Sequence, residues 1–230
     1  MKYYIALSLA SLFFILNACQ SNEKPNQANA KPLFINYEVR YLEQENELRG
    51  LAYFKEGDSI EVATPREFTN ASFQGSAMDM QNLGDRGIRY ILTRKGDFSA
   101  NLNFGYKNDN EQLIQYELSM PGLGNFSVKE TQISKSAGAT VLWTGEPLDD
   151  TQSLVFMFTD KNNKASSTSI KGPTTASEVF IPSQALANLA AGTGQLYLVK
   201  KQVRNSQEEN QSIVSLVEYY TAPISVEIVE

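Results

Sequence analysis

Alternation of hydrophobic and polar side chains is the dominant pattern from residue 33 onward. In the segment LFINYEVRY, every second residue from Leu33 to Tyr41 is hydrophobic. The segments DFSANLNFGY, beginning at Asp97, and PISVEIVE, beginning at Pro223, repeat this period of two. Successive side chains of a β-strand point to opposite faces, so the pattern predicts strands that bury one face.

Short polar segments separate these stretches and predict tight turns. They read QENE, KEGD, KNDNE, PGLGN, DKNNK and RNSQEEN. Asn, Asp and Gly favour turns because their side chains bond the local backbone or permit left-handed conformations. Many short strands joined by such turns are typical of β-sandwiches, so the predicted fold class is all-β.

Helical pattern is sparse and confined to two short segments. Residues 183–189 predict one or two helical turns, with Ser183 as the N-cap and Gly192 ending the segment. Residues 77–83 predict a similar turn in the first half. The spacing of the short strands favours a sandwich or a barrel over βαβ units.

The alternation stops and restarts around SMPGLGN, which contains Pro121, Gly122 and Gly124. This break predicts a domain boundary there. The prediction is two tandem antiparallel β-sandwich domains, at residues 33–122 and 123–230.

The first nineteen residues have a different character. Lys2 precedes an apolar stretch that ends at Leu16. A transmembrane helix needs roughly 20 apolar residues, so the stretch fits the shorter hydrophobic region of a signal peptide. The sequence that follows, Leu-Asn-Ala-Cys, resembles the lipobox of bacterial lipoproteins. That resemblance implies that residues 1–18 are removed and that Cys19 is lipidated.

Residues 19–32 are predicted to be a lipidated, flexible tether. They contain prolines and polar residues but no strongly apolar residue after Cys19. Removing residues 1–18 leaves 19 basic and 26 acidic residues, a net charge of −7. Because nucleic-acid binding requires clustered Lys and Arg, we expect no nucleic-acid partner. The expected partners are the membrane, through the lipid, and an envelope protein or glycan.

The second half resembles fibronectin type III and related immunoglobulin-like domains. In ATVLWTGEPLDD, Trp143 and Pro147 match a core-facing tryptophan and the proline that follows it. In LAAGTGQLYLVKK, the matching residues are Leu189, Gly192 and Tyr197. The resemblance implies an immunoglobulin-like sandwich over roughly residues 127–230. It does not imply an activity, since such folds serve many functions.

Candidate catalytic chemistry is limited by the amino-acid content. The chain has no histidine, and its one cysteine is assigned to the lipid. These facts exclude Ser-His-Asp and Cys-His catalysis and histidine or thiolate metal sites. The glycine pairs 122/124 and 192/194 lack the residues of a phosphate-binding loop. We therefore expect no enzyme activity, no cofactor and no metal.

Carboxylates are the remaining candidates for catalysis or calcium binding. The acidic pairs are Glu45/Glu47, Asp149/Asp150 and Glu208/Glu209. All fall in predicted turns, where charge is solvated, so a glycosidase pair is the less favoured interpretation. DKNNK at Asp160 and NDNE at Asn108 offer oxygen ligands, but their spacing differs from the twelve-residue calcium loop.

Exposed aromatic side chains could bind a sugar or a partner protein. Tyr219 and Tyr220 must point to opposite faces of one strand, so one of them is expected outside the core. Phe34 and Phe54 are the other candidates for outward-facing rings. Packing near a domain interface is the alternative, and the favoured, interpretation of all four.

The sequence leads to one main functional hypothesis and two alternatives. The main one is a lipid-anchored envelope protein with a non-catalytic binding or structural role. The alternatives are a surface lipoprotein that binds or processes carbohydrate, and an accessory subunit of an envelope complex. Gln20 follows the cysteine, where aspartate signals inner-membrane retention in enterobacteria; by that resemblance we expect the outer membrane.

Overall fold

The computed structural model describes residues 31–230, and most of this length forms β-strands. The predicted signal peptide and the lipidation site, Cys19, lie outside the described residues. The strands of the first half are β1 (Leu33–Leu42), β2 (Glu47–Glu56), β3 (Thr64–Pro65), β4 (Ser72–Phe73), β5 (Ser76–Ala77), β6 (Asp79–Asn82), β7 (Ile88–Lys95), β8 (Asn101–Lys107) and β9 (Leu113–Ser119).

The second half has nine further strands and one short helix. The strands are β10 (Phe126–Val128), β11 (Ile133–Ser134), β12 (Ala139–Trp143), β13 (Gln152–Thr159), β14 (Ala165–Lys171), β15 (Glu178–Ile181), β16 (Gly192–Glu208), β17 (Gln211–Tyr220) and β18 (Ile224–Val229). The helix α1 spans Ser183–Leu186, and a 3₁₀ turn spans Gly84–Arg86. The predicted all-β class is confirmed.

The alternating residues of β1 form one buried face and one partly exposed face. Ile35, Tyr37 and Val39 are each at most 2% exposed, while the alternating residues remain partly exposed. Hydrophobic burial of one face thus fixes the orientation of the strand, since a one-residue slip would expose every core side chain.

The largest sheet has eleven strands and runs through both halves of the chain. Its path is β11-β18-β16-β17-β1-β2-β7-β6; β13 and β14 extend it beside β16, and β3 pairs with β2. The pairing of β1 with β17 is parallel, although most other pairs are antiparallel. The 17-residue β16 pairs with β18 through residues 192–196 and with β17 through residues 199–208.

Two hydrophobic cores lie against this sheet. In the first, β1, β2 and β17 pack on the sheet β5-β4-β8-β9, and the ring centroids of Tyr37 and Phe104 are 4.4 Å apart. In the second, β13, β16 and β18 pack on the sheet β10-β12-β15. There the Trp143 ring lies 5.6 Å from Phe156 and is buried, as the immunoglobulin-like resemblance implies.

The two cores do not follow the order of the chain. β17 contributes Ile213, Val217 and Tyr219 to the first core. The long β16 carries the sheet from one core to the other. The boundary between 33–122 and 123–230 stays a prediction, and the large sheet crosses it.

The two helical predictions need correction. Residues 77–83 contain β6, because pairing with β7 satisfies the backbone there; a 3₁₀ turn follows. The second segment does form a helix, but Pro182 is its N-cap, and the helix ends at Leu186 with Ala187 as C-cap. No helix within residues 31–230 is long and apolar enough to cross a membrane.

Candidate ligand-binding face

The large sheet and the sheet β5-β4-β8-β9 enclose the first core, and together they form the first sandwich. Its outer face on the large sheet is built from the side chains that alternate with the core. We define it as the face of β17, β1, β2 and β7 that points away from the first core. Cross-strand pairing aligns its residues in rows: Asn36 lies opposite both Tyr53 and Val214, and Glu38 lies opposite both Leu51 and Leu216. No second sheet of the described chain packs on this face.

A groove of about 670 Å³ runs over this face and continues into a hollow of about 280 Å³. Glu38 and Tyr53 line both, so we treat the two as one site, the outer groove. Its apolar side chains are Phe34, Leu51, Tyr53, Ile60, Val214 and Leu216. Its charged side chains are Glu38, Arg40, Arg49, Lys55, Arg86, Arg89 and Glu218.

The outer groove is positively charged within an acidic protein. Five cations and two carboxylates line it, a net charge of +3, whereas the whole chain carries −6. A concave surface of one sign attracts ligands of the opposite sign and raises their local concentration. The site therefore favours an anionic ligand over the cationic ligand that the net charge of the chain would predict.

Glu218 is the best-neutralised carboxylate of the face. It accepts hydrogen bonds from Arg40 Nε and Nη2, at 3.2 and 2.9 Å, and from the Tyr220 hydroxyl at 3.1 Å. Lys201 Nζ lies 3.1 Å from its other oxygen. Burial alone would raise the pKa of Glu218, but bonds and charges from Lys201 and Arg40 hold it below its ordinary value. Glu218 is thus a structural anion that fixes Arg40.

Three of the cations are not neutralised in this way. Lys55, Arg86 and Arg89 form no ion pair with any residue of 31–230. Arg89 donates two hydrogen bonds to a neutral acceptor, Gln81 Oε1, at 3.2 and 2.6 Å. Lys55 and Arg86 are exposed. No carboxylate of the described residues is paired with these three groups.

The predicted aromatic candidates divide between the two faces. Phe34 lines the outer groove, half-buried, and Tyr220 lies on the outer face with the Arg40 guanidinium 5.4 Å from its ring centre. The prediction for Phe54 is wrong: it is 2% exposed, because it follows Leu48 and Ala52 on the core side of β2. Tyr219 is buried and donates its hydroxyl to Glu43 at 2.6 Å.

The acidic candidates in turns have structural partners. Glu47 pairs with Arg49 and Lys95, and Asp149 accepts bonds from Thr151 and Gln152. Other candidates lie at strand ends or turns: Glu45, Asp150, Glu208 and Glu209. No group of three or more metal-ligating side chains suited to an ion occurs within 31–230.

The two segments weighed as calcium ligands, at Asp160 and at Asn108, are hydrogen-bonded turns. Asp160 accepts backbone bonds from Asn162, Lys164 and Ala190 at 2.8, 3.0 and 2.7 Å. The bond from Ala190 is the largest cause of a lowered pKa at Asp160, even though desolvation acts in the opposite direction. Asn108 Oδ1 accepts two backbone bonds in the same manner, from Asn110 and Gln112.

Sequence reasoning missed the outer groove because its residues come from distant segments. Arg40 and Glu218 are 178 positions apart and meet only through the parallel pairing of β1 and β17. A local signal existed, since Phe34, Asn36, Glu38 and Arg40 alternate with the core residues of β1. That set combines an aromatic, an amide and two charges on one face.

Comparisons with known proteins give little guidance. No family model matches the chain, and no curated protein matches it. Among solved structures, the adhesin InvE of Yersinia pseudotuberculosis aligns at 10% identity with a TM-score of 0.20. The alignment covers 81% of this chain and 58% of the adhesin chain. A match at this level establishes neither a shared fold nor a shared function.

Proposed function

We propose that this protein is a lipid-anchored component of the bacterial envelope that binds a partner, without catalysis, through the outer groove. The observation that carries the proposal is the composition of the groove lining. The lining has a net charge of +3, whereas the whole chain carries −6. It also contains the six apolar side chains named above, which we call the apolar floor. Apolar pockets with a few well-placed polar groups are the usual form of binding sites.

The apolar floor supports a binding role. Val214 on β17 and Ile60, in the loop that walls the groove, are 43% and 49% exposed. The outer face of a sandwich usually carries polar side chains because it meets water. Exposed aliphatic and aromatic groups gathered in one concave place are typical of interaction surfaces.

The position of the groove fits a protein tethered at its amino end. The Pro32 carbonyl accepts a hydrogen bond from Gly57 N at 3.1 Å, and Leu33 N donates to the Asn210 carbonyl at 2.9 Å. Phe34, one residue further, already lines the groove. We propose that Cys19 carries the lipid and that thirteen residues, spanning at most about 45 Å, hold the groove close to the membrane surface.

Site-specific photocrosslinking tests the proposal. We would replace Tyr53, in the groove, with p-benzoylphenylalanine and irradiate cells that make the full-length protein. A defined adduct is expected at this position. The control is Leu113, which is 58% exposed on β9, in the opposite sheet of the same sandwich. Equal crosslinking at both positions, or none at either, would contradict a binding role for the groove.

A further inference from the structure

We infer that the outer groove binds an extended segment of a partner protein in which carboxylate side chains alternate with apolar ones. This inference rests on the proposed function, since it names the chemistry of the partner for the same groove. It goes further because it specifies that the partner segment is a peptide and that it is negatively charged.

The charge of the partner follows from the unpaired cations. Lys55, Arg86 and Arg89 line the groove, and none forms an ion pair within residues 31–230. Of the two carboxylates that line the groove, Glu218 is already bonded to Arg40 and Lys201, and Glu38 accepts a hydrogen bond from Asn36 Nδ2 at 2.8 Å. Guanidinium groups match carboxylates with two parallel hydrogen bonds, so a carboxylate-bearing ligand can use the donors of Arg86 and Arg89.

The arrangement of the lining suits an extended chain. Phe34 lies opposite Lys55 across β1 and β2, and Tyr53, the next outward residue of β2, lies opposite Asn36. Apolar and cationic positions therefore adjoin one another along the face. The four strands of the face span about 14 Å at about 4.8 Å per spacing, which four or five residues of extended peptide cover. Alternate side chains of such a peptide reach opposite sides of the groove.

The apolar lining favours a peptide over a glycan. Four of its six apolar side chains are aliphatic: Leu51, Ile60, Val214 and Leu216. Aliphatic surface pairs well with Leu, Val or Phe side chains, whereas it leaves sugar hydroxyls without partners. The two aromatic residues of the groove, Phe34 and Tyr53, are not in ring contact with any described aromatic residue.

The test measures binding of a defined peptide to the full-length protein in non-ionic detergent. The probe is a fluorescein-labelled peptide of sequence EFELDLE, read by fluorescence polarisation. Its matched control, QFQLNLQ, keeps the length and the apolar residues but has no side-chain charge. We expect saturable binding of the acidic peptide and at least roughly tenfold weaker binding of the neutral one, because the unpaired cations lose their partners.

Charge-reversal variants localise the effect. Lys55→Glu combined with Arg86→Glu changes two exposed groove cations that make no ion pair, so we expect the fold to be unchanged, which circular dichroism and the unfolding temperature would check. The acidic peptide should bind roughly tenfold more weakly to this variant. Lys161→Glu with Lys171→Glu makes the same charge change at exposed positions outside the groove, and there we expect less than about a twofold change.

Each alternative result has a definite meaning. If the acidic peptide fails to bind, or binds both double variants equally, the inference is wrong. If polygalacturonate displaces the peptide and binds more tightly, the partner is a glycan, and the inference fails while the binding role remains. A missing crosslink at Tyr53 would instead contradict the proposed function, so the two failures are distinguishable.

Discussion

The Arg40 guanidinium lies 2.9 Å from the Glu218 carboxylate and joins two strands whose residues are 178 positions apart. Arg40 is half-exposed, but the Glu218 side chain is only 8% exposed. Lys201 approaches the same carboxylate from β16 at 3.1 Å. One buried anion therefore fastens the adjacent strands β1, β17 and β16 along the outer face.

We predict that Glu218→Gln destabilises the folded protein. The substitution keeps the size of the side chain but leaves Arg40 and Lys201 without a negative partner. Hydrogen bonds to charged groups contribute about 1.5–3 kcal/mol each, so a loss of about 2 kcal/mol in the free energy of unfolding is expected. Urea denaturation measures it. Arg40→Gln is the matched comparison, and we expect a smaller loss there because Lys201 still pairs with Glu218. If Glu218→Gln has the same free energy of unfolding as the wild type, the ion pairs do not stabilise the fold.

The same residue gives a prediction about acid stability. The pKa of Glu218 is lower in the folded protein than in the unfolded chain, so the unfolded chain binds its proton more tightly. The contribution of Glu218 is complete above its unfolded pKa of about 4.3 and is lost as pH falls through the folded value. Between about pH 7 and pH 3, the wild type should lose more unfolding free energy than Glu218→Gln. If the unfolding free energies of the two proteins change in parallel with pH, Glu218 does not titrate as described.

We predict that Gly50→Ala destabilises the first core. Gly50 is buried on β2, and a Cβ there would lie 2.5 Å from Cδ1 of Phe73, which belongs to the opposite sheet. Overpacking of this kind costs about 1–3 kcal/mol. Thermal and urea unfolding measure the loss. The double variant Gly50→Ala/Phe73→Leu should lose less unfolding free energy than the two single variants lose in total. The reason is that the smaller leucine side chain makes room for the new methyl group.

Local pattern predicted the strands well where one face is uniformly apolar. Ile35, Tyr37 and Val39 are buried as the period of two requires. In β2, the core side consists of Leu48, Gly50, Ala52 and Phe54. The small residues Gly50 and Ala52 weaken the signal, and at Gly50 the space is limited by Phe73 of the opposite sheet. The outward prediction for Phe54 failed for this reason.

The outer groove could not be predicted because it depends on pairing between distant strands. Parallel pairing of β1 with β17 leaves no local trace, since it needs no turn between the strands. Residues 77–83 were also mispredicted because a neighbouring strand decides their structure. Their short pattern fits a helical turn, and only the presence of β7 as a hydrogen-bonding neighbour makes residues 79–82 a strand.

We predict that Cys19→Ala abolishes lipid attachment. Cys19 is the only cysteine of the chain, so no other thiol can accept the lipid that its resemblance to a lipobox implies. Metabolic labelling with an alkyne fatty acid, followed by fluorophore coupling, should mark the wild type and not the variant. Cys19→Ser is the control, because it preserves size and polarity but offers a hydroxyl instead of a thiol. Equal labelling of the alanine variant would contradict the anchor.

We predict that Lys200→Met stabilises the protein, most strongly at neutral and acidic pH. Lys200 lies on β16 between Leu154 and Tyr219, is fully buried, and its Nζ has no hydrogen-bond partner among residues 31–230. Desolvation lowers its pKa, although nearby carboxylates act in the opposite direction. Replacing such a group with a hydrophobic one of similar volume should raise the free energy of unfolding by about 1–3 kcal/mol.

The pH dependence of that gain separates desolvated charge from simple packing. Because the pKa of Lys200 is lower in the folded protein, the unfolded chain binds its proton more tightly, and wild-type stability from this group rises as pH increases. The advantage of Lys200→Met should therefore shrink as pH approaches the ordinary lysine value of about 10.4. Urea unfolding of both proteins across this range measures the difference. Lys201→Met is the control: it removes a partner of Glu218 and should not stabilise at any pH. A constant gain for Lys200→Met would mean that better packing, and not the buried charge, explains it.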